Sequence, residues 1–401
     1  MDPAEPRAQL HAAVATVDIT PPVGYHLAGY SARKEPSNAL RDPLHGRLLL
    51  LDDGGTRLAI VTLDLIGLLW PTTQRVRQAI SQAAQVPPDH ILANWSHTHA
   101  GPEVERYESY TAQLVDKLGG AALEALRRLR PARLTYAEDC IGFSINRRLR
   151  RDDGTVLMAP NPEGPVDRKL RLVRVDTEGA RPMVVLFHAV CHANALRSDN
   201  LTISADFPGL AQDFVAAAFP GCTPMFLQGC TGDVRANLPG EGARPTDFRS
   251  ADEEDFRWCG YSLGAAAVHA AARAGTREAM DLGTELAAAE TVLALQGRDG
   301  GKREFPIQAL RLGKLSLIGL AGEPVVEYGL QLDRRLAGRG LVVVAGYSNA
   351  EVGYLSTAAI YAEGGYEASP GASPFTPQAE PMVLAAAVAL AERVRGSGES
   401  F

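Results

Sequence analysis

The segment Ser96-His97-Thr98-His99-Ala100-Gly101-Pro102 begins at the last residue of an apolar run over 90–96. The pattern of this run predicts a buried strand. The Gly-Pro pair after the second histidine predicts a turn. Two histidines separated by one residue project to the same side of an extended chain. Strand ends that enter loops hold metal ligands rigidly, so the pair indicates a metal or catalytic site. Two hydrogen-bonded structural histidines are the alternative.

On both sides of this stretch, strand-like apolar runs alternate with amphipathic, helix-like stretches. The predicted strands are 47–51, 56–65, 90–96, 133–137, 169–175, 183–190, 224–228, 284–294, 305–311, 315–320 and 341–347. The predicted helices are 71–84, 109–129, 209–218, 252–274, 324–336 and 380–395. This alternation predicts an α/β fold with a mixed β-sheet core flanked by helices. Because no repeat or long linker interrupts it, we expect residues 1–401 to form a single catalytic domain.

The composition is that of a soluble globular protein, with 46% hydrophobic and 22% charged residues among 401. The net charge of −7 and the lack of a long basic run predict no nucleic-acid partner. No apolar run approaches the roughly 18 residues of a membrane span. Five cysteines without a CxxC pair, and an N-terminus without a secretory pattern, predict a cytoplasmic protein. A homo-oligomer is compatible with these features.

A second pair of histidines, His188 and His192, ends another predicted strand. Four of the nine histidines therefore lie at two strand ends, which favours a zinc site. Cys191 is expected to face away from His192, because adjacent residues of a strand face opposite sides. A catalytic zinc often takes a carboxylate ligand as well, and the candidates after strands are Glu323, Asp206 and Asp233. Glu323 also fits an ordinary helix start.

Other catalytic motifs are absent from the sequence. The segment Gly229-Cys230-Thr231-Gly232-Asp233 does not have the spacing of a phosphate-binding GxxxxGK[ST] loop. A GxSxG stretch occurs at 260–264, but it lies inside the predicted helix 252–274 and not at a strand-to-helix turn. The sequence therefore has no nucleophile elbow of the kind that serine hydrolases of the α/β-hydrolase type use. A nucleophilic Cys191 beside His188 or His192 stays open as an alternative, since closeness in sequence says little about closeness in space.

Taken together, these segments resemble the catalytic domain of the neutral/alkaline non-lysosomal ceramidase family. The Ser96–Pro102 stretch resembles the family's HTHSGP, and Cys191-His192-Ala193-Asn194 resembles its H-P-T region. The further segments, in the family's order, are 17–22, 27–30, 42–44, 63–64, 144–147, 203–209, 322–324, 349–354 and 365–367. One such segment is weak evidence, but this many in order are specific.

The resemblance implies an amidohydrolase in which a zinc-activated water attacks the carbonyl of an N-acyl amide. It also implies one Zn²⁺ per chain and His99 as general acid/base. Arg147 and Tyr366 would face the substrate. The implied zinc ligands are His97, His192, Glu323 and Tyr354.

The chain departs from the family where ceramidases carry a Ser within a Gly-Asp-x-Ser-Pro segment. Here Arg235 stands at the position of that Ser, two residues after Asp233, and we expect both residues to contact substrate. An Arg in the pocket favours a substrate carboxylate or phosphate over a neutral lipid head group. The alternative is an exposed Arg235 in a surface ion pair. We also expect no C-terminal immunoglobulin-like domain after Phe401.

The sequence thus predicts a zinc-dependent amidohydrolase that cleaves a linear or N-acyl amide, not ceramide itself. The substrate would be a small molecule bearing a carboxylate, in secondary metabolism. An acyltransferase or amide-forming cyclase would use the same site with an amine in place of water. A non-catalytic binding protein and a lyase that stabilises an enolate are further alternatives.

Overall fold

A computed structural model describes residues 9–177, 181–242 and 246–395. Its strands are β1 (His11–Asp18), β2 (Ala39–Leu40), β3 (His45–Asp52), β4 (Arg57–Leu63), β5 (Ile91–Trp95), β6 (Arg130–Cys140), β7 (Ser144–Arg150), β8 (Val156–Asn161), β9 (Lys169–Thr177), β10 (Arg181–Ala189), β11 (Thr202–Ile203), β12 (Thr223–Gln228), β13 (Val234–Ala236), β14 (Met280–Asp281), β15 (Leu286–Gln296), β16 (Lys302–Leu312), β17 (Leu315–Leu320), β18 (Glu323–Pro324), β19 (Leu341–Ala345) and β20 (Tyr354–Leu355). Its α-helices are α1 (Trp70–Ala84), α2 (Glu108–Arg127), α3 (Asp206–Ala218), α4 (Glu253–Ala274), α5 (Val326–Arg335), α6 (Ala358–Glu363) and α7 (Ala379–Arg395).

Two larger sheets form the centre of the described chain. The first has nine strands in the order β12-β10-β9-β6-β1-β3-β4-β5, with β14 beside β6. The second has four strands in the order β15-β16-β17-β19. Parallel pairs, namely β4 with β5, β10 with β12 and β17 with β19, occur among antiparallel ones. Both sheets are therefore mixed, which confirms the predicted fold class.

Alternation along the strands of the first sheet divides its side chains between two apolar layers. In β3, Leu48 and Leu50 pack with helices α1 and α2, whereas Leu49 and Leu51 pack against the second sheet. At the other end of the sheet, Phe187 of β10 packs with α3 and α4. Four helices therefore cover one face of the first sheet, and the second sheet covers the other.

The second sheet has its own helical layer. Phe305 and Ile307 of β16 pack with Tyr328 of α5 and Val383 of α7. The chain is thus a single domain of four layers in the order helix, sheet, sheet, helix. The sequence predicted strands flanked by helices, but it did not show that two sheets lie face to face. Within the described ranges, no helix is long and apolar enough to cross a lipid bilayer.

The two outermost strands of the first sheet meet at their carboxyl ends through Asn94 of β5. The backbone N–H of Gln228 in β12 donates to Asn94 Oδ1 at 2.9 Å, and Asn94 Nδ2 donates to the Gly346 carbonyl after β19 at 2.6 Å. Gln228 Nε2 in turn donates to the carbonyls of Ser96 and Cys191, at 2.8 and 3.0 Å. These bonds join three strand ends to the two loops that carry the predicted histidine ligands.

Candidate metal centre

Three buried histidines from two loops converge at these strand ends. His97 and His99 follow β5, and His192 follows β10. His99 Nε2 lies 3.0 Å from His192 Nε2, and the ring centroids of His97 and His192 are 4.7 Å apart. His97 has a φ of 60°, a left-handed conformation that a non-glycine residue rarely adopts. The fold keeps this strain in the loop that turns the pair of histidines inward.

Glu323 and Tyr354 lie in β18 and β20, which form a separate two-stranded sheet beside these histidines. They are direct partners in the short parallel ladder between β18 and β20. Glu323 Oε2 lies 3.2 Å from His97 Nε2 and 3.8 Å from His192 Nε2. The Tyr354 hydroxyl accepts a hydrogen bond of 3.0 Å from Arg147 Nη2. Glu323 thus lies beside His97 and His192, and Tyr354 lies opposite Glu323 in the ladder, while their roles as metal ligands stay predictions.

The donor atoms fit a zinc ion. His97 Nδ1 donates to the Ile66 carbonyl at 2.7 Å, and His192 Nδ1 donates to the Thr231 carbonyl at 3.2 Å. With the proton held on Nδ1, each Nε2 turns its lone pair to the centre, as is usual for metal-binding histidines. Ligand atoms about 2.0–2.1 Å from a tetrahedral zinc are about 3.3 Å from one another. The spacings of Glu323 Oε2 from the two Nε2 atoms are close to this value.

The electrostatics of the centre favour neutral imidazoles at two positions. Burial and neighbouring positive charges hold the pKa of His99 and His192 well below the usual value. At His97, burial opposes the charged form, but the adjacent Glu323 carboxylate outweighs it and raises the pKa. Burial likewise works against the Glu323 carboxylate, and His97 outweighs it so that the pKa of Glu323 is lowered. Neutral imidazole and ionised carboxylate are the forms that bind metal.

His99 differs from the other two histidines in how it is held. Its Nε2 faces His192, but its buried Nδ1 has no hydrogen-bond partner within residues 9–177, 181–242 and 246–395. The ring lies 4.7 Å from that of Tyr30 and packs against Gly29, where a Cβ would overlap the imidazole. Among the described residues no carbonyl fixes the proton of His99 on Nδ1, so a backbone acceptor does not impose one tautomer on this imidazole.

The two residues predicted to face substrate lie beside Tyr354. Arg147 Nε donates to Glu367 Oε1 at 2.7 Å, and its guanidinium lies 5.5 Å from the Tyr354 ring and 5.7 Å from the Tyr366 ring. Tyr366 is 51% exposed and stands at the rim of the centre. Arg147 is buried and fixes the orientation of Tyr354. Their contacts with substrate stay predictions.

Asp233 and Arg235 come after the loop that follows β12: Asp233 directly precedes β13, and Arg235 is its middle residue. Asp233 Oδ1 accepts the Val326 N–H at 2.8 Å, and Oδ2 accepts Asn146 Nδ2 at 3.0 Å. Burial raises the pKa of Asp233 to about 6. Arg235 is only 3% exposed, which excludes the surface ion pair that the sequence left as an alternative. Its pairing with His192 in an isolated β-bridge places it next to the metal centre.

Three further candidates from the sequence, His188, Asp206 and Cys191, lie outside the group formed by the three histidines and Glu323. His188 Nε2 contacts the Val344 carbonyl at 3.0 Å, and Asp206 accepts the N–H groups of Leu196 and Phe207. Cys191 is buried in the apolar layer under α3 and α4, on the side of the chain opposite His192, as predicted. Burial holds the pKa of its thiol well above the usual value, which disfavours a nucleophilic thiolate.

Tyr347 is a member of the centre that sequence reasoning missed. Its hydroxyl accepts a hydrogen bond from Thr231 Oγ1 at 2.9 Å and lies 3.4 Å from Glu323 Oε2. Its ring centroid is 4.3 Å from that of His97. The available signal was a polar aromatic residue just after the apolar run 341–345. Tyr347 thus contacts two predicted ligands, His97 and Glu323.

Replacing Tyr347 with Phe is expected to weaken zinc binding by about 10-fold, the lower end of the range for groups that hydrogen-bond to metal ligands. The ring that packs on His97 is kept, while the hydroxyl beside Glu323 is removed. Competition with a chromophoric chelator measures the zinc dissociation constant directly. Tyr361→Phe removes a hydroxyl that bonds to Ser373, and it serves as the control. Unchanged zinc affinity in Tyr347→Phe would show that this hydroxyl does not support the centre.

The crystal structure of neutral ceramidase from Pseudomonas aeruginosa superposes with a TM-score of 0.78 over 98% of this chain and 76% of that chain, at 19% identity. The chain has the neutral ceramidase fold. A structure described as ceramidase complexed with C2 matches similarly, with a TM-score of 0.77 over 98% of this chain and 77% of that chain, at 18% identity.

The sequence match to a neutral ceramidase is local. A stretch of 67 residues is 43% identical to the neutral ceramidase of Mycobacterium tuberculosis, and it covers 16% of this chain and 10% of that protein. No model of a protein family matches the chain. Within the neutral ceramidase fold, the histidine loops lie at the carboxyl ends of β5 and β10, and Glu323 follows β17. Crevices at the carboxyl ends of parallel strands are where open α/β sheets bind ligands.

Proposed function

We propose that the protein is a zinc-dependent amidohydrolase whose metal ligands are His97, His192, Glu323 and Tyr354. One observation carries the proposal: two carbonyl-anchored imidazoles and the Glu323 carboxylate converge on one point in a neutral ceramidase fold. Zinc bound there supplies Lewis-acid polarisation of the amide carbonyl and activation of a water molecule.

His99 is the proposed general acid/base. Its Nε2 faces the centre beside His192, and burial lowers the pKa of His99, which keeps the imidazole in the neutral form that a general base requires. Nε2 takes the proton of the attacking water and then donates it to the nitrogen of the leaving amine, because an amide nitrogen leaves only once protonated. Gly29 and Tyr30 hold the ring in place without competing for Nε2.

Arg147, Tyr354 and Tyr366 would position the substrate at the metal centre. The guanidinium is tied to Glu367, so it presents a fixed donor to the Tyr354 hydroxyl. Tyr366, which packs edge-on against Tyr354 at 5.4 Å, covers the centre from the solvent side. We assign to these residues the orientation of the scissile amide and the exclusion of bulk water.

The proposed substrate is a small linear or N-acyl amide rather than ceramide, because a buried guanidinium lies beside the centre. A cytoplasmic location and a role in secondary metabolism stay predictions from the sequence. The same residues would support acyl transfer or cyclisation if an amine replaced the water. Analysis of the products distinguishes these outcomes, since hydrolysis alone releases a free acid.

The experiment is a measurement of zinc and turnover on one preparation. Elemental analysis is expected to give about one zinc per chain. A panel of N-acyl amides of ethanolamine and of amino acids is then screened for release of amine. Removal of zinc with a chelator should abolish turnover, and zinc addition should restore it. A protein that holds no zinc after loading, or that retains turnover without metal, would contradict the proposal.

A further inference from the structure

Arg235 occupies an unusual position for a charged side chain. It belongs to β13 and is the bridge partner of His192, so the two side chains lie on the same face. Its guanidinium lies 4.4 Å from the ring of Phe248, and Nη2 donates to the Asn194 carbonyl at 3.3 Å. Within the described ranges, the side chain is buried directly beside the proposed metal centre.

This guanidinium has no acidic partner among the described residues. No carboxylate lies within 4 Å of it, and the buried Nε has no hydrogen-bond partner. Burial lowers the pKa of Arg235 to about 10, so the group is still charged at neutral pH. A buried charge is normally paired, because removing it from water is costly. An unpaired one next to a reactive centre indicates a ligand that brings the opposite charge.

Neighbouring groups add to the positive charge instead of neutralising it. Arg33 Nη1 donates to the His99 carbonyl at 2.8 Å and Nη2 to the Arg197 carbonyl at 3.0 Å, while its Nε has no partner. The side chain of Arg197 donates to the Phe248 carbonyl. These two guanidinium groups use backbone carbonyls, and neither forms an ion pair with a described carboxylate. By contrast, Arg147 is paired with Glu367.

Tyr30 supplies a second hydrogen-bond donor on this side. In the part of the chain that the structure describes, its buried hydroxyl has no hydrogen-bond partner. Its ring packs on His99 and lies 5.1 Å from the Arg33 guanidinium. His99, on which Tyr30 packs, has its Nε2 atom 3.0 Å from His192 Nε2. Arg235 is the bridge partner of His192, so the phenol and the guanidinium flank the same pair of histidines. A neutral phenol beside an unpaired guanidinium offers an anion two donors.

We propose that Arg235 and the Tyr30 hydroxyl form a subsite for a carboxylate of the substrate, reinforced by the charges of Arg33 and Arg197. This inference rests on the proposed amidohydrolase function and names its substrate class: amides that carry a carboxylate near the scissile bond, of the N-acyl amino acid type. A planar guanidinium matches a carboxylate in both geometry and charge. A hydroxylated lipid head group would leave the buried charge without a partner.

Three amides with one acyl group test the subsite. They are an N-acylglycine, the N-acylethanolamine and the N-acylphosphoethanolamine, which present a carboxylate, a hydroxyl and a phosphate. The wild-type kcat/KM is expected to be at least roughly 30-fold higher for the N-acylglycine than for the N-acylethanolamine, or about 2 kcal/mol at 1.4 kcal/mol per tenfold. If the kcat/KM for the N-acylphosphoethanolamine is higher than that for the N-acylglycine, the subsite binds a phosphate and the proposed carboxylate is wrong.

Substitutions test whether Arg235 causes the preference for the N-acylglycine over the N-acylethanolamine. Arg235→Met should reduce the ratio of the two kcat/KM values to near unity, whereas Arg235→Lys should keep part of it. Arg150→Met, at an exposed arginine in β7, is the matched control and should leave the ratio unchanged. The melting temperature of Arg235→Met should not fall, because the variant removes a buried charge without an acidic partner. A folded Arg235→Met that kept the full preference would overturn the subsite.

A binding measurement separates this inference from the proposed function. Isothermal titration of N-acetylglycine is carried out on the wild type, Arg235→Met and His192→Ala. Binding to the wild type and to His192→Ala, with loss in Arg235→Met, supports the subsite even if no amide is cleaved. Binding that is lost in His192→Ala and kept in Arg235→Met would assign the carboxylate to the metal and overturn the subsite.

Discussion

His192→Ala is expected to lower bound zinc from about one equivalent per chain to almost none, and His97→Ala should do the same. Each variant removes an imidazole whose Nδ1 is already anchored to a backbone carbonyl. The Nε2 lone pair that is lost is one of four proposed ligand atoms, so the remaining set is expected to hold zinc much more weakly. Elemental analysis of the purified variants measures the effect, and amide hydrolysis should be lost together with the metal.

His188→Ala is the matched control for this experiment. His188 is a buried histidine four residues before His192, but it contacts the Val344 carbonyl and lies outside the group of histidines. The control should keep about one zinc per chain. Thermal unfolding of all three variants separates loss of a ligand from loss of the fold. If His192→Ala stays folded and retains stoichiometric zinc, the proposed ligand set is wrong.

His99→Ala is expected to retain zinc while kcat falls by about 10²- to 10⁴-fold, the usual contribution of a general acid/base. The physical reason is that His99, unlike His97 and His192, has no carbonyl partner that fixes its tautomer. The metal ligands would remain complete without it. Steady-state kinetics with the best amide of the panel and zinc analysis on the same samples provide both numbers.

The result also decides between two readings of the histidine group. Ligand atoms of His97, His99 and His192 lie within 4.8 Å of one another, a spacing that also permits three histidine ligands. Loss of zinc in His99→Ala would make His99 a ligand, and normal turnover would remove its catalytic role altogether. His90→Ala, which alters a histidine bonded to the Arg57 carbonyl, is expected to affect neither quantity.

Much of the fold could be predicted because its elements have strong local patterns. The helix predicted over 71–84 is α1, and the strand predicted over 315–320 is β17 with the same bounds. Both are recognised by apolar periodicity that tertiary contacts do not alter. The histidine pair was found for a related reason, since a buried strand followed by a Gly-Pro turn determines where its last side chains point.

Other parts of the fold and of the site could not be predicted, because they depend on contacts between residues far apart in the sequence. β7 was not predicted, because Ser-Ile-Asn-Arg-Arg-Leu-Arg is too polar to look like a buried strand. Its buried Arg147 and Arg148 share Glu367 as a partner, at 2.7 Å each, and Arg148 also pairs with Glu363 at 3.1 Å. Tyr354 entered the predicted ligand set through family resemblance alone. Tyr347 was missed because nothing local shows that its hydroxyl lies near Glu323.

The distribution of the proposed ligands over the two sheets has a consequence for biogenesis. His97 comes from the first quarter of the chain and Tyr354 from the last eighth. During synthesis, the amino-terminal histidines leave the ribosome long before Glu323 and Tyr354 exist. The complete ligand set therefore arises only when the second sheet has docked on the first. With the proposed ligand set, zinc would bind only after translation of nearly the whole chain, and it would then stabilise the assembled form.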